Sequence, residues 1–209
     1  MRILIEDGAV CFRGREVFAG FQGCFPAGSV SALVGPSGSG KSTVLNVLAG
    51  AQRLTRGAVW LEVGGARRTP RMSDVAWVAQ EAHLLRSRTV LDNAAIGALS
   101  EGADLAASRR RAMEALDMVG MAEAASFPAR ALSGGEKQRV TFARALASSR
   151  PIILADEPSA SLDAANTRTI ARLLVDLRSA AVVVVATHDP LLMAASDLLV
   201  ELRPTDETV

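Results

Sequence analysis

Three stretches of the chain are apolar at consecutive positions: residues 30–34 (VSALV), 151–155 (PIILA) and 182–186 (VVVVA), the last opening into the longest apolar run, from about 180 to 186. Runs this short and rich in β-branched side chains predict strands buried on both faces, since a strand with one wet face would alternate. Each gives way to a polar or glycine-rich turn and then to a helical pattern, the order of elements that builds a parallel sheet covered by helices. The first 25 or so residues and the stretch 58–79 are patterned differently, with shorter, more alternating strands (VCF at 10–12, AVWLEV at 58–63). They predict an antiparallel piece packed against the core. Between 81 and 131 the strand signal disappears. Across 104–118, Leu105, Ala112 and Leu116 recur at helical spacing with Met113 beside them, and Arg109, Arg110 and Arg111 fall on the wet side. This segment reads as a helical insertion of about 50 residues within the α/β core, not a second independent domain.

Composition narrows the class. A chain of 209 residues, 49% hydrophobic, has the length of a single domain and ample material for one core. With 23 basic residues against 22 acidic, the net charge of +1 lacks the electrostatic footprint of a nucleic-acid binder. Two cysteines make no disulfide framework, and two histidines do not furnish a zinc cluster of the usual sort. Cys11 and Cys24, in the antiparallel strands, are expected to be small buried hydrophobes. The N-terminus turns acidic at Glu6 and Asp7, too early for a signal-peptide core, and no apolar run approaches the ~20 residues of a membrane span. The expectation is a soluble, intracellular chain. Arg67, Arg68, Arg71, Arg86 and Arg88 could meet anionic lipid or a partner, but a solvated loop face is the favoured reading.

Chemistry enters at Gly35-Pro36-Ser37-Gly38-Ser39-Gly40-Lys41-Ser42, which fits G-x-x-x-x-G-K-[ST] at every fixed position. A buried strand leads in and Thr43 to Ala49 continue as a helix, the context this motif requires. Glycines let the backbone curl so that several N–H groups face one anion, and the helix N-terminus adds its positive end. Lys41 supplies a mobile charge for the β- and γ-phosphates, and the Ser42 hydroxyl is a ligand for Mg²⁺. The strand 152–155 delivers Asp156 and Glu157 at its carboxyl end, where ligands sit in open parallel sheets. Asp156 suits the Mg²⁺ shell, while Glu157 suits orientation and deprotonation of an attacking water.

The segment Leu132-Ser133-Gly134-Gly135-Glu136-Lys137-Gln138-Arg139 contains a capping box, Ser133 with Glu136, at the start of a helix running through Val140, Phe142, Ala143, Leu146 and Ala147. Two glycines in a first turn cost about 1 kcal/mol each relative to alanine, and a cap alone does not require them. The octet resembles the signature of the ATP-binding-cassette (ABC) ATPases. Other marks follow in that family's order: Gln80, after the strand 75–78, is similar to the glutamine that senses Mg²⁺ and the γ-phosphate. Ser161-Leu162-Asp163 resembles the D-loop and His188 the switch histidine. The resemblance covers about residues 3–202. It implies a P-loop NTPase core with a mostly parallel sheet, an N-terminal antiparallel β piece and an inserted helical subdomain, all within one nucleotide-binding domain over 1–209. The site it implies comprises Gly35 to Thr43, Asp156, Glu157, His188 and Gln80, with Ser42, Asp156 and Gln80 around Mg²⁺. Ser133, Gly134 and Gly135 are implied to contact the γ-phosphate bound to the partner subunit, and Asp163 of the D-loop is implied to bind nucleotide. Family members usually stack adenine on an aromatic residue, often tyrosine. This chain has no tyrosine, and Phe12 occupies the corresponding place.

The resemblance further implies a head-to-tail dimer sandwiching two ATP molecules, loosened by hydrolysis, with the motion carried to a separate integral-membrane permease through residues 81–88. The cassette would then lie on the inner face of the cell membrane, with no nucleic-acid partner. The compact ending and the run 154–158 are similar to the lipoprotein-release and macrolide-efflux branch. Alternatives within the superfamily are a cell-division-type signalling cassette and a DNA-maintenance ATPase. The latter expects a long coiled-coil insertion or zinc cysteines, which the sequence lacks.

Overall fold

The computed structural model describes residues 1–179 and 181–203, so residue 180 of the long apolar run and residues 204–209 of the expected domain lie outside the described residues. In chain order the elements are β1 (Arg2–Phe12), β2 (Arg15–Pro26), β3 (Val30–Val34), α1 (Lys41–Leu48), β4 (Arg56–Val63), β5 (Ala66–Arg68), β6 (Val75–Val78), α2 (Val90–Leu99), α3 (Leu105–Met118), α4 (Gly134–Ala147), β7 (Ile152–Asp156), α5 (Ala164–Leu177), β8 (Val182–Ala186), α6 (Pro190–Ala195) and β9 (Leu198–Glu201).

Two sheets form. The first, in the order β2-β1-β4-β5, is antiparallel throughout. The second, β6-β7-β8-β3-β9, is parallel throughout. Its central strands bury alternate residues on opposite faces, which is why they read as unbroken apolar runs. On one face Ile152, Leu154, Val182 and Val184 meet Val44, Leu45, Val47 and Leu48 of α1, whose far side is covered by Ile3, Ile5, Phe18, Phe25 and Leu61 of the antiparallel sheet. On the other face Ile153, Ala155, Val183 and Val185 meet Val140, Phe142 and Ala143 of α4 and Ile170 and Leu174 of α5. At about 25 cal/mol per Å² of apolar area removed from water, these two layers are the main favourable contribution to folding.

Three expectations change. The stretch 58–79 divides: β4 and β5 belong to the antiparallel sheet, but 75–78 forms β6 and pairs parallel with β7 from Val75↔Ile152 to Val78↔Ala155. Cys11 and Cys24 are exposed, because β1 and β2 present one face to solvent. Leu105 is exposed in the first turn of α3, while Ala112 and Leu116 are fully buried. The helix expected after Ser133 forms as α4 and lies against α2 and α3 as well as β6. Arg109 and Arg110 are exposed as expected, and Arg111 is partly covered beside Glu101.

Candidate active site

The parallel strand order gathers four strand ends. Gln80 follows β6, Asp156 and Glu157 close β7, His188 follows β8, and the glycine-rich loop follows β3. Between them lies a cleft of about 360 Å³ lined by Val17, Ser37, Gly38, Gly40, Lys41, Ser42, Thr43, Gln80, Asp156 and Glu157.

The loop has its shape because of its glycines. Gly38 and Gly40 have φ of 80° and 96°, in the left-handed region that side chains with a Cβ disfavour. Gly40 is also the N-cap of α1, and a Cβ there would lie 2.7 Å from Val17 Cγ1. Lys41 is buried at the mouth of the loop. Its Nζ donates to the carbonyls of Gly35 (3.0 Å) and Pro36 (3.1 Å) and lies 3.7 Å from Glu157 Oε1. The ammonium is thus aimed across the cradle toward the acidic pair. Ser39 is buried beneath the loop and does not face the cleft.

Asp156 is partly buried, and burial raises its pKa above the ordinary value. A hydrogen bond from Ser42 and the charge of Lys41 pull it down, and the neighbouring Glu157 carboxylate pushes it up. Oδ1 of Asp156 and Oε2 of Glu157 are buried without a hydrogen-bond partner among the described residues. Bare buried carboxylate oxygens are costly, and two of them beside a serine hydroxyl make an oxygen donor set suited to a hard divalent cation and a water. The residues present therefore fit Mg²⁺. Glu157 has φ of 43°, a left-handed conformation at a non-glycine residue, while its N–H donates to Ala186 O (2.9 Å). Strain of this kind is kept where the surroundings over-determine it, commonly at a working site. Its Oε1 lies 2.9 Å from Nδ1 of His188, whose side chain is 73% exposed.

Other predicted residues lie elsewhere. Ser133 caps α4 in a capping box: its Oγ and N–H donate to Glu136 Oε2 (2.7 and 2.8 Å), which holds the Glu136 carboxyl below its usual range. Asp163 caps α5 by accepting from Asn166 N (2.8 Å). Ser133, Gly134, Gly135 and Asp163 are not among the residues lining this cleft. Phe12, at the end of β1, is 47% exposed and likewise outside the lining, so it is not core filler.

A family model described as ABC transporter matches residues 18–160, more than half of the chain. The chain belongs to the ABC transporter family. An uncharacterized ABC transporter ATP-binding protein of Mycobacterium tuberculosis is 41% identical over 186 residues, covering 85% of this chain and 56% of that relative. The chain thus spans little more than half the length of that curated relative. The cell division ATP-binding protein FtsE of Escherichia coli is 38% identical over 184 residues, covering 84% of this chain and 82% of FtsE. A bacterial ABC transporter cassette solved as a dimer superposes with a TM-score of 0.82 at 28% identity, covering 96% of this chain and 94% of the other. The same cassette solved as a dimer bound to ADP and Pi gives 0.80 at 27% identity, with the same coverage. The fold is accordingly the α/β ABC cassette.

Several residues of this cassette's site escape sequence reasoning. Val17 enters the cleft from β2 and carries no local signal. Gln138, buried in α4, donates Nε2 to Ala79 O (3.2 Å) and so ties α4 to the residue before Gln80. Ser159 donates to Asp189 Oδ2 (2.9 Å), bracing the loop after Glu157 against the one after His188. The capping motif Asp189-Pro190 is legible locally, but its contact with Ser159 is not.

Proposed function

We propose that the chain binds and hydrolyses ATP as one of two cassettes in a head-to-tail sandwich, and that hydrolysis drives a separate integral-membrane permease. The observation that carries the reading is the division of the chemistry. The phosphate loop, Asp156, Glu157 and Gln80 share one cleft, while Ser133, Gly134, Gly135 and Asp163 sit outside it. A half-site of each kind on one chain is complemented by a second copy turned head to tail. Kinship with a cassette solved as a dimer, and again with ADP and Pi bound, supports this arrangement.

In this reading the loop N–H groups from Ser37 to Thr43 and the Lys41 ammonium hold the β- and γ-phosphates. Ser42, Asp156 and Gln80 would hold Mg²⁺, which when bound would neutralise charge on the phosphates. Glu157 accepts a proton from the water whose oxygen attacks the γ-phosphorus. The bond from that phosphorus to the β–γ bridging oxygen breaks, leaving ADP and phosphate. A general base of this kind contributes about 10²–10⁴-fold in rate. His188 steadies the Glu157 carboxylate from the solvent side, and Phe12 stacks the adenine. Residues 81–88 face the permease, and the cassette sits on the cytoplasmic face of the membrane through it. Among the described residues no helix is long and apolar enough to cross a membrane, so the span belongs to another chain or segment.

A second reading is favoured by the likeness to FtsE over 82% of its length: a cassette that signals to a membrane partner without moving a solute. Glu157→Gln is expected to bind ATP, lose turnover by at least 10²-fold and accumulate as a nucleotide-trapped dimer. Brisk hydrolysis by this variant would sink the assignment of the base. Used as bait on membranes, the trapped dimer identifies the partner. Solute flux through that partner then separates transport from signalling.

A further inference from the structure

The second half-site contains a residue that no motif accounts for. Asn166, in the first turn of α5, donates Nδ2 to Asp163 Oδ1 (3.1 Å), the same oxygen that accepts its backbone N–H (2.8 Å). The other side of that carboxamide is pressed against the signature turn. A Cβ built on buried Gly135 would lie 2.6 Å from both Cγ and Oδ1 of Asn166 and 2.9 Å from its Nδ2. Real Cβ atoms essentially never lie so close, so any side chain at position 135 would push the Asn166 carboxamide out of its present place. Gly134, one residue earlier, has nothing within 4 Å of a built Cβ and faces open space. One partly buried carboxamide therefore packs on the backbone of the Ser133–Gly135 turn while fixing the Asp163 carboxylate, and none of these groups faces the chain's own cleft.

We propose that Asn166 is a positioning residue that locks the signature turn and Asp163 into one rigid face, which acts on the ATP held by the second copy. The inference rests on the head-to-tail reading and deepens it. Asn166 does not line its own chain's cleft, so its loss is expected to appear at the partner's site. Misplacing groups by about 1 Å costs about 10²-fold in rate even when no reacting atom is changed.

The test is mixed-subunit complementation. Asn166→Ala alone is expected to keep the melting temperature and the ATP affinity of the isolated subunit, and to lose roughly ten- to a hundredfold in kcat. Asn166→Asp, which keeps the shape but sets a carboxylate beside Asp163, should lose as much; it also carries the experiment should the alanine variant not fold. Mixed in equal amounts with Glu157→Gln, either variant should recover roughly a quarter of the normal rate, since half of the dimers are mixed and each holds one intact site. Ser133→Ala mixed with Glu157→Gln is the control, because it alters the same face without touching Asn166 and brings no charge to the dimer seam. Recovery in the control but none with Asn166→Ala overturns the inference, placing the residue's effect in its own chain's site. Full activity of either Asn166 variant by itself also overturns it. Recovery in neither mixture overturns the head-to-tail reading, and the inference falls with it.

Discussion

Asp156 shows at a single residue how this site sets function against stability. Its burial raises the pKa above the ordinary aspartate value of 3.8, with Ser42 and Lys41 compensating only in part. The folded protein therefore holds the Asp156 proton more tightly than the unfolded chain does. That contribution to stability is complete below the unfolded pKa and is lost as pH rises through the folded value, so at neutral pH the charged carboxylate weighs against the fold. Asp156→Asn is expected to raise the melting temperature, by about 2–4 °C per kcal/mol relieved, and to abolish turnover. Melting curves across the acid range provide the check. The gap between variant and wild type should open as pH rises through the window just above 3.8; a gap independent of pH would contradict the account. The companion Glu157, held at φ of 43° with one bare oxygen, belongs to the same trade.

Among the elements, the decisive feature is the join between α2, α4 and the segment after Gln80. Asn93 is fully buried in α2, where its Oδ1 accepts from Leu85 N (2.7 Å) and its Nδ2 donates to the carbonyls of Leu85 (3.0 Å) and Thr89 (2.9 Å). Arg144 of α4 completes the clamp by donating to Asn93 O (3.0 Å), Asn93 Oδ1 (3.1 Å) and His83 O (3.1 Å). The segment is thereby tied to α4, which Gln138 also links to Ala79. Removing the carboxamide takes the partner from the Leu85 N–H and strands one arm of the partly buried Arg144 guanidinium, the latter at about 1–3 kcal/mol. Asn93→Ala should accordingly lower the melting temperature by several degrees and speed amide exchange across 81–89 ahead of the sheet. Uniform exchange across both regions would show that the clamp has no local role. The expected solvated arginine face also resolves at this scale. Arg68 makes a bidentate pair with Asp74 (2.6 and 2.7 Å), which holds that carboxyl below its usual range, and Arg67 pairs with Glu6 and Glu62.

Across the whole molecule, the parallel sheet is the device that assembles the cleft, and the two helix starts beside Asn166 form the surface left over. Because Gly134 has open space around it, Gly134→Asp should leave the melting temperature nearly unchanged. The new carboxylate would repel a partner's phosphate, so ATP-driven dimerisation and turnover should both fall by at least tenfold. Size-exclusion chromatography with and without ATP is the measurement. A dimer that forms normally would argue that this face meets no nucleotide.

The sequence by itself determined whatever depends on neighbours within a few residues. The left-handed glycines of the phosphate loop, the capping box of Ser133 and Glu136, the Asp163 cap and the doubly buried strands are all properties of local backbone chemistry and of side-chain periodicity. Only the tertiary structure decided what stands next to what. It inserted β8 between β3 and β7, moved 75–78 from the antiparallel piece to the edge of the parallel sheet and turned Cys11, Cys24 and Leu105 to solvent. It also brought Val17 into the cleft, Asn166 against Gly135 and Arg144 onto Asn93. The physical reason is range. A strand's pattern states that both faces are buried, but not which strand lies beside it, and contacts between residues 30 or 50 positions apart are selected only when the two cores close together.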